Sequence, residues 1–512
     1  MSAMRTFVIA LTFAVIIATT AADPHGQAQP SPPSRLNVVF ILADDLGWGE
    51  VGVYGQQKIP TPNIDRLAAQ GMRFTHHYSG APVCAPSRAV LMTGRHLGHA
   101  EIRGNLQART RLPEFDEGQY PLSARAVTIA QVFQRAGYAT GAMGKWGLGP
   151  VGSTGDPGRK GFELFFGYND QAVAHSYYPP HLWRNAEKVV INRRPVPGHQ
   201  KQPEGEVTMD AWIGETYAPT LMVAEAERFI ARHADRPFFL YLPFIEPHVA
   251  MHPPRAQVER FPEAWDDVPY RGGNNYLPHP RPRAAYAAMI ADLDDHVGRV
   301  LAALERAGVA DRTLVVFTSD NGPTHPGVQE PRFHIGGADP VFFDSTRGLR
   351  GYKGSVYEGG IRVPMIARLP GRIAAGTVND TASYFADWFP TLTEAAGLGA
   401  VAGRDGLDGV SVWPVLTGRQ AALARRPPMV WVFPEYGGQV AVRLGVFKVV
   451  RQGLRTPTPG PWEVYDLSTD TGETHDLAPA RQDLVREAEA VLRREVSANE
   501  VFPLAIPDVA GR

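Results

Sequence analysis

Residues 36–45 read Leu-Asn-Val-Val-Phe-Ile-Leu-Ala-Asp-Asp. Asn37 apart, the run 36–42 is apolar without alternation, the mark of a strand covered on both faces, and two adjacent carboxylates, Asp44 and Asp45, follow it. The same pattern recurs along the chain. Run 139–143 precedes Lys145, run 238–244 precedes Glu246-Pro247-His248, and run 314–318 precedes Asp320-Asn321; a fifth run covers 363–367. Helical spacing and punctuation fall between them, at 62–70 after Thr61-Pro62, at 128–136 before Gly137, and at 219–233 and 284–307. Strands alternating with helices predict an α/β fold with a mostly parallel sheet. Ligands of open α/β sheets bind at the carboxyl ends of the strands, so the four polar clusters are expected to converge on one crevice.

Asp44, Asp45, Asp320 and Asn321 offer only oxygen ligands. Carboxylates gathered this closely repel one another unless a cation neutralises them, and an all-oxygen set suits calcium or magnesium. Zinc is disfavoured because no Cys/His ligand spacing accompanies them.

Composition bounds the rest. The 512 residues carry 51 Lys and Arg against 52 Asp and Glu, a net charge of −1, which gives no basic excess for nucleic acid. With 44% hydrophobic and 20% charged residues the balance is globular, and 52 Gly and 45 Pro imply many turns rather than low complexity. Residues 1–22, with Arg5, an apolar stretch at 7–18 and small residues before Asp23, read as a signal peptide for export to the periplasm or medium. The stretch is shorter than the ~20 apolar residues of a membrane span. A Pro-rich linker, 23–34, follows. The chain has one cysteine, Cys84, so it makes no internal disulfide.

Cys84 stands in Cys84-Ala-Pro-Ser-Arg88, followed by Thr93-Gly94-Arg95. This run resembles the type I sulfatase signature. Asp44-Asp45, Gly144-Lys145-Trp146, His248, Ser319-Asp320-Asn321-Gly322, Lys353 and Glu358-Gly-Gly-Ile-Arg362 fall in that family's order, so the likeness spans about residues 37–477. The resemblance implies an alkaline-phosphatase-like fold, a large mixed sheet flanked by helices with a small C-terminal α+β subdomain. It implies oxidation of Cys84 to formylglycine by a formylglycine-generating enzyme acting on the nascent chain. Asp44, Asp45, residue 84, Asp320 and Asn321 would hold the metal, Arg88 the modified residue, and Lys145, His248 and Lys353 the sulfate, with His248 protonating the leaving alcohol. The implied activity is hydrolysis of sulfate esters on a saccharide or glycosaminoglycan, with aryl sulfates as surrogates. Phosphate or phosphonate ester hydrolysis and non-catalytic binding of sulfated glycans are the alternatives.

One departure matters. Sulfatases with Lys-Trp-His-Leu-Gly use that histidine as the base that releases sulfate; here the run is Lys145-Trp146-Gly147-Leu148-Gly149. His175, in a stretch that resembles a Trp-Gly-Leu-Gly subgroup, is the expected replacement, with His96, His99 and His181 behind it. Arg184, Trp183 and Tyr177 are expected to border a pocket for a ring-shaped polar substrate. The catalytic domain is expected at 35–425 and the C-terminal subdomain at 426–512, with strands at 429–433, 441–450 and 463–467 and a helix near 482–496.

Overall fold

The computed structural model describes residues 35–325, 333–399, 406–423, 426–507 and 509; the expected signal peptide and linker lie outside them. Alternate side chains of the first strand, Asn37–Ala43, enter two separate cores. Val38, Phe40 and Leu42 pack on one face of the sheet and Val39 and Ile41 on the other. Leu314 and Val316 divide from Val315 and Phe317 in the same way. An unbroken apolar run is therefore what a strand buried on both faces requires.

The large sheet has ten strands in the spatial order Thr377–Asn379, Met72–Phe74, Met365–Arg368, Thr313–Ser319, Asn37–Ala43, Phe238–Pro243, Ala139–Lys145, Leu164–Tyr168, His181–Arg184 and Glu187–Val190. The five from Thr313–Ser319 to Leu164–Tyr168 are parallel. Met365–Arg368 runs antiparallel to Thr313–Ser319, and the His181–Arg184 and Glu187–Val190 pair forms an antiparallel flank. The sheet is thus mixed: its middle, where four of the five expected strands sit, is parallel, and so is the edge pair of Thr377–Asn379 and Met72–Phe74. Each expected helix is present to within about two residues, as Pro62–Ala69, Ile129–Arg135, Ala218–Arg232 and Pro282–Arg306. Thr128 caps the second of these in a reciprocal capping box with Gln131.

Pro62–Ala69, Ala218–Arg232 and Pro282–Arg306 cover one face of the sheet. Cys84–Thr93, Ile129–Arg135 and Trp388–Ala395 cover the other, together with an antiparallel sheet of Met429–Phe433, Gln439–Leu444, Phe447–Arg451 and Trp462–Asp466 and the helix Gln482–Glu495. The run 441–450 is not one strand: it contains a tight hairpin at Gly445-Val446, where Leu444 pairs with Phe447 and Gly445 takes φ 64°. No helix among the described residues is long and apolar enough to cross a membrane.

Candidate active site

The carboxyl ends of the parallel strands meet at Arg88. This side chain is fully buried one helical turn below Cys84 on Cys84–Thr93. Its Nη2 lies 3.1 Å from Asp44 Oδ2 and 2.9 Å from Asp320 Oδ2, and Nη1 donates to the Lys145 carbonyl. One guanidinium therefore ties three strand ends together, a task suited to its planar fork of donors. Asp45 takes a left-handed backbone (φ 65°), and its N–H donates to Asp320 Oδ1 at 3.2 Å.

Two ammonium groups complete the charge balance. Lys145 Nζ stands 2.6 Å from Asp44 Oδ2 and Lys353 Nζ 2.7 Å from Asp45 Oδ2. Burial pulls Asp44 upward, but Lys145, His248, Arg88 and Lys353 outweigh it and hold the carboxyl well below the usual carboxylate range. Burial and neighbouring Asp44 push Asp320 up to about 6 against the pull of Arg88.

Cys84 opens its helix, where free N–H groups and the helix dipole favour negative charge. Its Sγ lies 3.4 Å from Asp44 Oδ1 and 3.9 Å from Asp45 Oδ1. Burial, reinforced by Asp44, pushes the thiol far above its ordinary range. Ligand atoms of Asp44, Asp45, Cys84 and His248 lie within 4.8 Å of one another. Asn321 joins them through Nδ2, which donates to Asp45 Oδ1 at 2.7 Å, while its Oδ1 is buried without a hydrogen-bond donor. An orphaned amide oxygen beside clustered carboxylates fits a hard divalent cation.

A cavity of about 150 Å³ opens over these groups. Asp45, Cys84, Lys145, His175, His248 and Lys353 line it, joined by Asn105, Gln171, Tyr276, Thr324, His325 and Tyr436. His248 Nδ1 bonds the Val249 carbonyl, which leaves Nε2 on the Asp45 side, 3.6 Å from Oδ2. Burial and the two lysines hold this imidazole well below its ordinary pKa. His175 stacks on it, ring centroids 5.0 Å apart and 8° from parallel.

The structure brings Asp44, Asp45, Cys84, Arg88, Lys145, His175, His248, Asp320, Asn321 and Lys353 together here, but not Trp183 and not Arg184. Its guanidinium forks onto Glu225 at 2.9 and 2.8 Å and lies over Phe166, so the pocket role expected for it is corrected to a structural ion pair. Trp183 donates to Glu117, and His181 pairs with the same carboxylate. Tyr177 is buried beneath the site, donating to the Ile245 and His248 carbonyls. His96 and His99 sit in another cluster with Asp408 and Glu495. Among the histidines considered for the missing base, His175 is the one that lines the cavity.

Gly147 is not an accidental vacancy. It has φ +75°, and a Cβ there would stand 2.5 Å from Gln171 Nε2, so Gln171 fills the space a side chain at 147 would need. That Nε2 is itself buried and without a partner. Gln171, Tyr276 and Tyr436 were not legible as site residues, because they stand in loops with no strand-end signal.

The sulfatase family model matches residues 36–398, and a model described as N-sulphoglucosamine sulphohydrolase, C-terminal, matches 351–499. Arylsulfatase A of Homo sapiens is 32% identical, the alignment covering 88% of this chain and 84% of that one. N-acetylgalactosamine-6-sulfatase of Canis lupus familiaris is 30% identical over 91% and 82%. The crystal structure of Ps i-CgsB in complex with k-i-k-neocarrahexaose superposes with a TM-score of 0.71 at 26% identity, covering 90% of this chain and 93% of that one.

Proposed function

Because the chain belongs to the sulfatase family and is a sulfatase, we propose that it cleaves a sulfate ester on a saccharide through formylglycine made from Cys84, with a divalent metal, calcium before magnesium. The observation that carries this reading is a buried thiol at a helix N-terminus, its Sγ 3.4 Å from Asp44 Oδ1, facing carboxylates and lysines across a small cavity. As formylglycine hydrate, residue 84 supplies two hydroxyl groups, one to take up the sulfuryl group and one to expel it. A metal held by Asp44, Asp45, Asp320, Asn321 and residue 84 supplies Lewis acidity and lowers the pKa of a hydroxyl.

The chain's own groups do the remainder. Arg88 fixes the positions of Asp44 and Asp320, preventing their mutual repulsion from opening the strand ends. Lys145 and Lys353 are the cationic donors for sulfate oxygens, joined by the unpartnered Nε2 of Gln171. His248 gives its Nε2 proton to the leaving alcohol; the negative charge of a bound ester offsets the two lysines and favours the imidazolium it needs. His175 takes the proton of the second hydroxyl, so that the carbonyl re-forms and sulfate departs. It is neutral in the empty cavity, since burial and the neighbouring cations hold its pKa well below the ordinary value.

Small-molecule sites typically occupy about 300–1,000 Å³, so the ~150 Å³ here suits the ester group itself, with the ring left at the mouth. Tyr436, 53% exposed at that mouth, offers an aromatic face to a sugar. The carrahexaose complex of a structural relative accords with a saccharide. Export of the enzyme and its modification by a formylglycine-generating enzyme belong to the same proposal. One preparation assayed on aryl sulfate, aryl phosphate and a panel of sulfated saccharides tests it. Preferred turnover of a saccharide sulfate is expected; faster turnover of the phosphate, or ligand binding without sulfate release, contradicts it.

A further inference from the structure

His175 does not stand alone. Its Nδ1 lies 2.8 Å from His199 Nε2, and His199 Nδ1 lies 2.7 Å from Asn275 Oδ1. We infer that His199 and Asn275 form a hydrogen-bonded chain that sets the tautomer of His175 and carries its proton from the cavity to solvent. This rests on the reading of His175 as the base for sulfate release.

The direction of the chain follows from its last member. An amide oxygen only accepts, so His199 carries its hydrogen on Nδ1. Its Nε2 then holds a lone pair and accepts from His175 Nδ1–H. The remaining nitrogen of His175, Nε2, is left with a lone pair, the form a base requires. Were Asn275 to present its NH2 group instead, every tautomer would reverse and His175 would carry hydrogen on the wrong atom. A single amide one residue before a cavity-lining tyrosine thus decides whether His175 works.

The surroundings hold this arrangement. Asn275 and Tyr276 both take left-handed backbone, with φ 71° and 64°. Two successive non-glycine residues in that region are costly and persist where the fold over-determines them. The Tyr276 ring meets both imidazoles, stacked on His199 at 4.6 Å and edge-on to His175 at 5.0 Å. Gly198 lets the His199 segment close in, because a Cβ there would stand 2.8 Å from the His175 Cβ. His175 lines the cavity, whereas His199 is exposed, so the two rings span from the reacting atoms to water.

In the release step, the second hydroxyl of residue 84 gives its proton to His175 Nε2. The O–H electron pair becomes the new C=O bond, and the C–O bond to the sulfuryl group breaks with its electrons leaving on sulfate. His175 Nδ1–H passes to His199 Nε2, and His199 Nδ1–H leaves to water once its bond to Asn275 Oδ1 opens. The starting tautomers return when His175 gives its Nε2 proton to cavity water and the chain takes one proton back from solvent at His199 Nδ1. No oxidant or other reactant is needed.

His199→Phe tests the chain, since it keeps a ring against Tyr276 and removes both nitrogens. Turnover should fall roughly tenfold or more while KM changes by less than about twofold. Enzyme carrying one sulfuryl group should accumulate by intact mass under steady state, and added imidazole should partly restore turnover. Asn275→Asp, which still accepts, should keep most activity, and Asn275→Leu should behave like His199→Phe. In Cys84→Ala protein, which lacks the reactive group, nitrogen-15 NMR should find both His175 and His199 protonated at Nδ1. Unchanged turnover without sulfated enzyme in His199→Phe, or the opposite tautomers, overturns the chain. Normal release by His175→Ala overturns the underlying assignment of the base, a separate result.

Discussion

Beneath the cavity, Asp44, Asp45 and Asp320 meet Arg88, Lys145 and Lys353; between the large body and the C-terminal sheet, Glu358 and Glu473 meet Lys448. Both clusters are buried and charge-dense, and both join segments far apart in sequence. In the second, Lys448 Nζ lies 2.9 Å from each glutamate, Glu473 Oε2 accepts the Glu358 N–H at 2.7 Å, and Tyr78 donates to Glu358 at 2.8 Å. Its charges answer one another across a packing contact. The first leaves the Asn321 oxygen without a donor and faces a cavity that holds Cys84 and His175. A buried charge network is therefore not a site by itself; the cavity that opens over the first cluster makes the difference.

The sharpest way to break this contrast is at residue 84. Cys84→Ala should cost about 10⁴-fold or more in kcat on aryl sulfate while leaving thermal unfolding nearly unchanged. Residual turnover near wild type would remove the nucleophile from the account. Next, stripping divalent ions should lower turnover by about a thousandfold, with calcium restoring it best; an enzyme indifferent to chelation would show that the orphaned Asn321 oxygen has another purpose.

The closed cluster should respond in stability instead. Lys448→Met removes the one cation both glutamates share, leaving Glu358 with Arg362 at 3.5 Å, and denaturant unfolding should record a loss of about 3–5 kcal/mol. Turnover per folded molecule should stay within about twofold. A catalytic defect with intact stability would merge the two clusters into one functional unit.

The smallest effect concerns pH. Burial and Glu358 push Glu473 from 4.5 up to about 7 despite Lys448. A carboxyl raised on folding contributes stability that is complete below pH 4.5 and is lost as pH rises through about 7. Glu473→Gln should remove that dependence, so the difference in unfolding midpoint between wild type and variant should shift against wild type over that range. A constant difference would mean Glu473 does not titrate there.

Much of the site was legible because its chemistry sits at strand ends, where an apolar run announces the strand and the next few residues announce the crevice. Asp44, Lys145, His248 and Asp320 are all of this kind, and the parallel order of their strands makes them converge. Lys353 and the modification proposed at Cys84 rested on motif resemblance rather than periodicity. Gln171, His199, Asn275, Tyr276 and Tyr436 lie in loops whose placement is tertiary, and no local spacing marks them. Arg184 was misplaced for the same reason. Its partner Glu225 stands 41 residues on, in Ala218–Arg232, and nothing local to Arg184 reveals that pair. The 441–450 run concealed a hairpin because apolar residues continue through the turn.

The most direct test is tandem mass spectrometry of the residue 84 peptide across preparations that differ in their degree of conversion, with aryl sulfate turnover measured on each. The aldehyde fraction should rise in proportion to turnover, and a preparation holding only the thiol should be inert. Equal turnover from the unconverted thiol would contradict the account at its root.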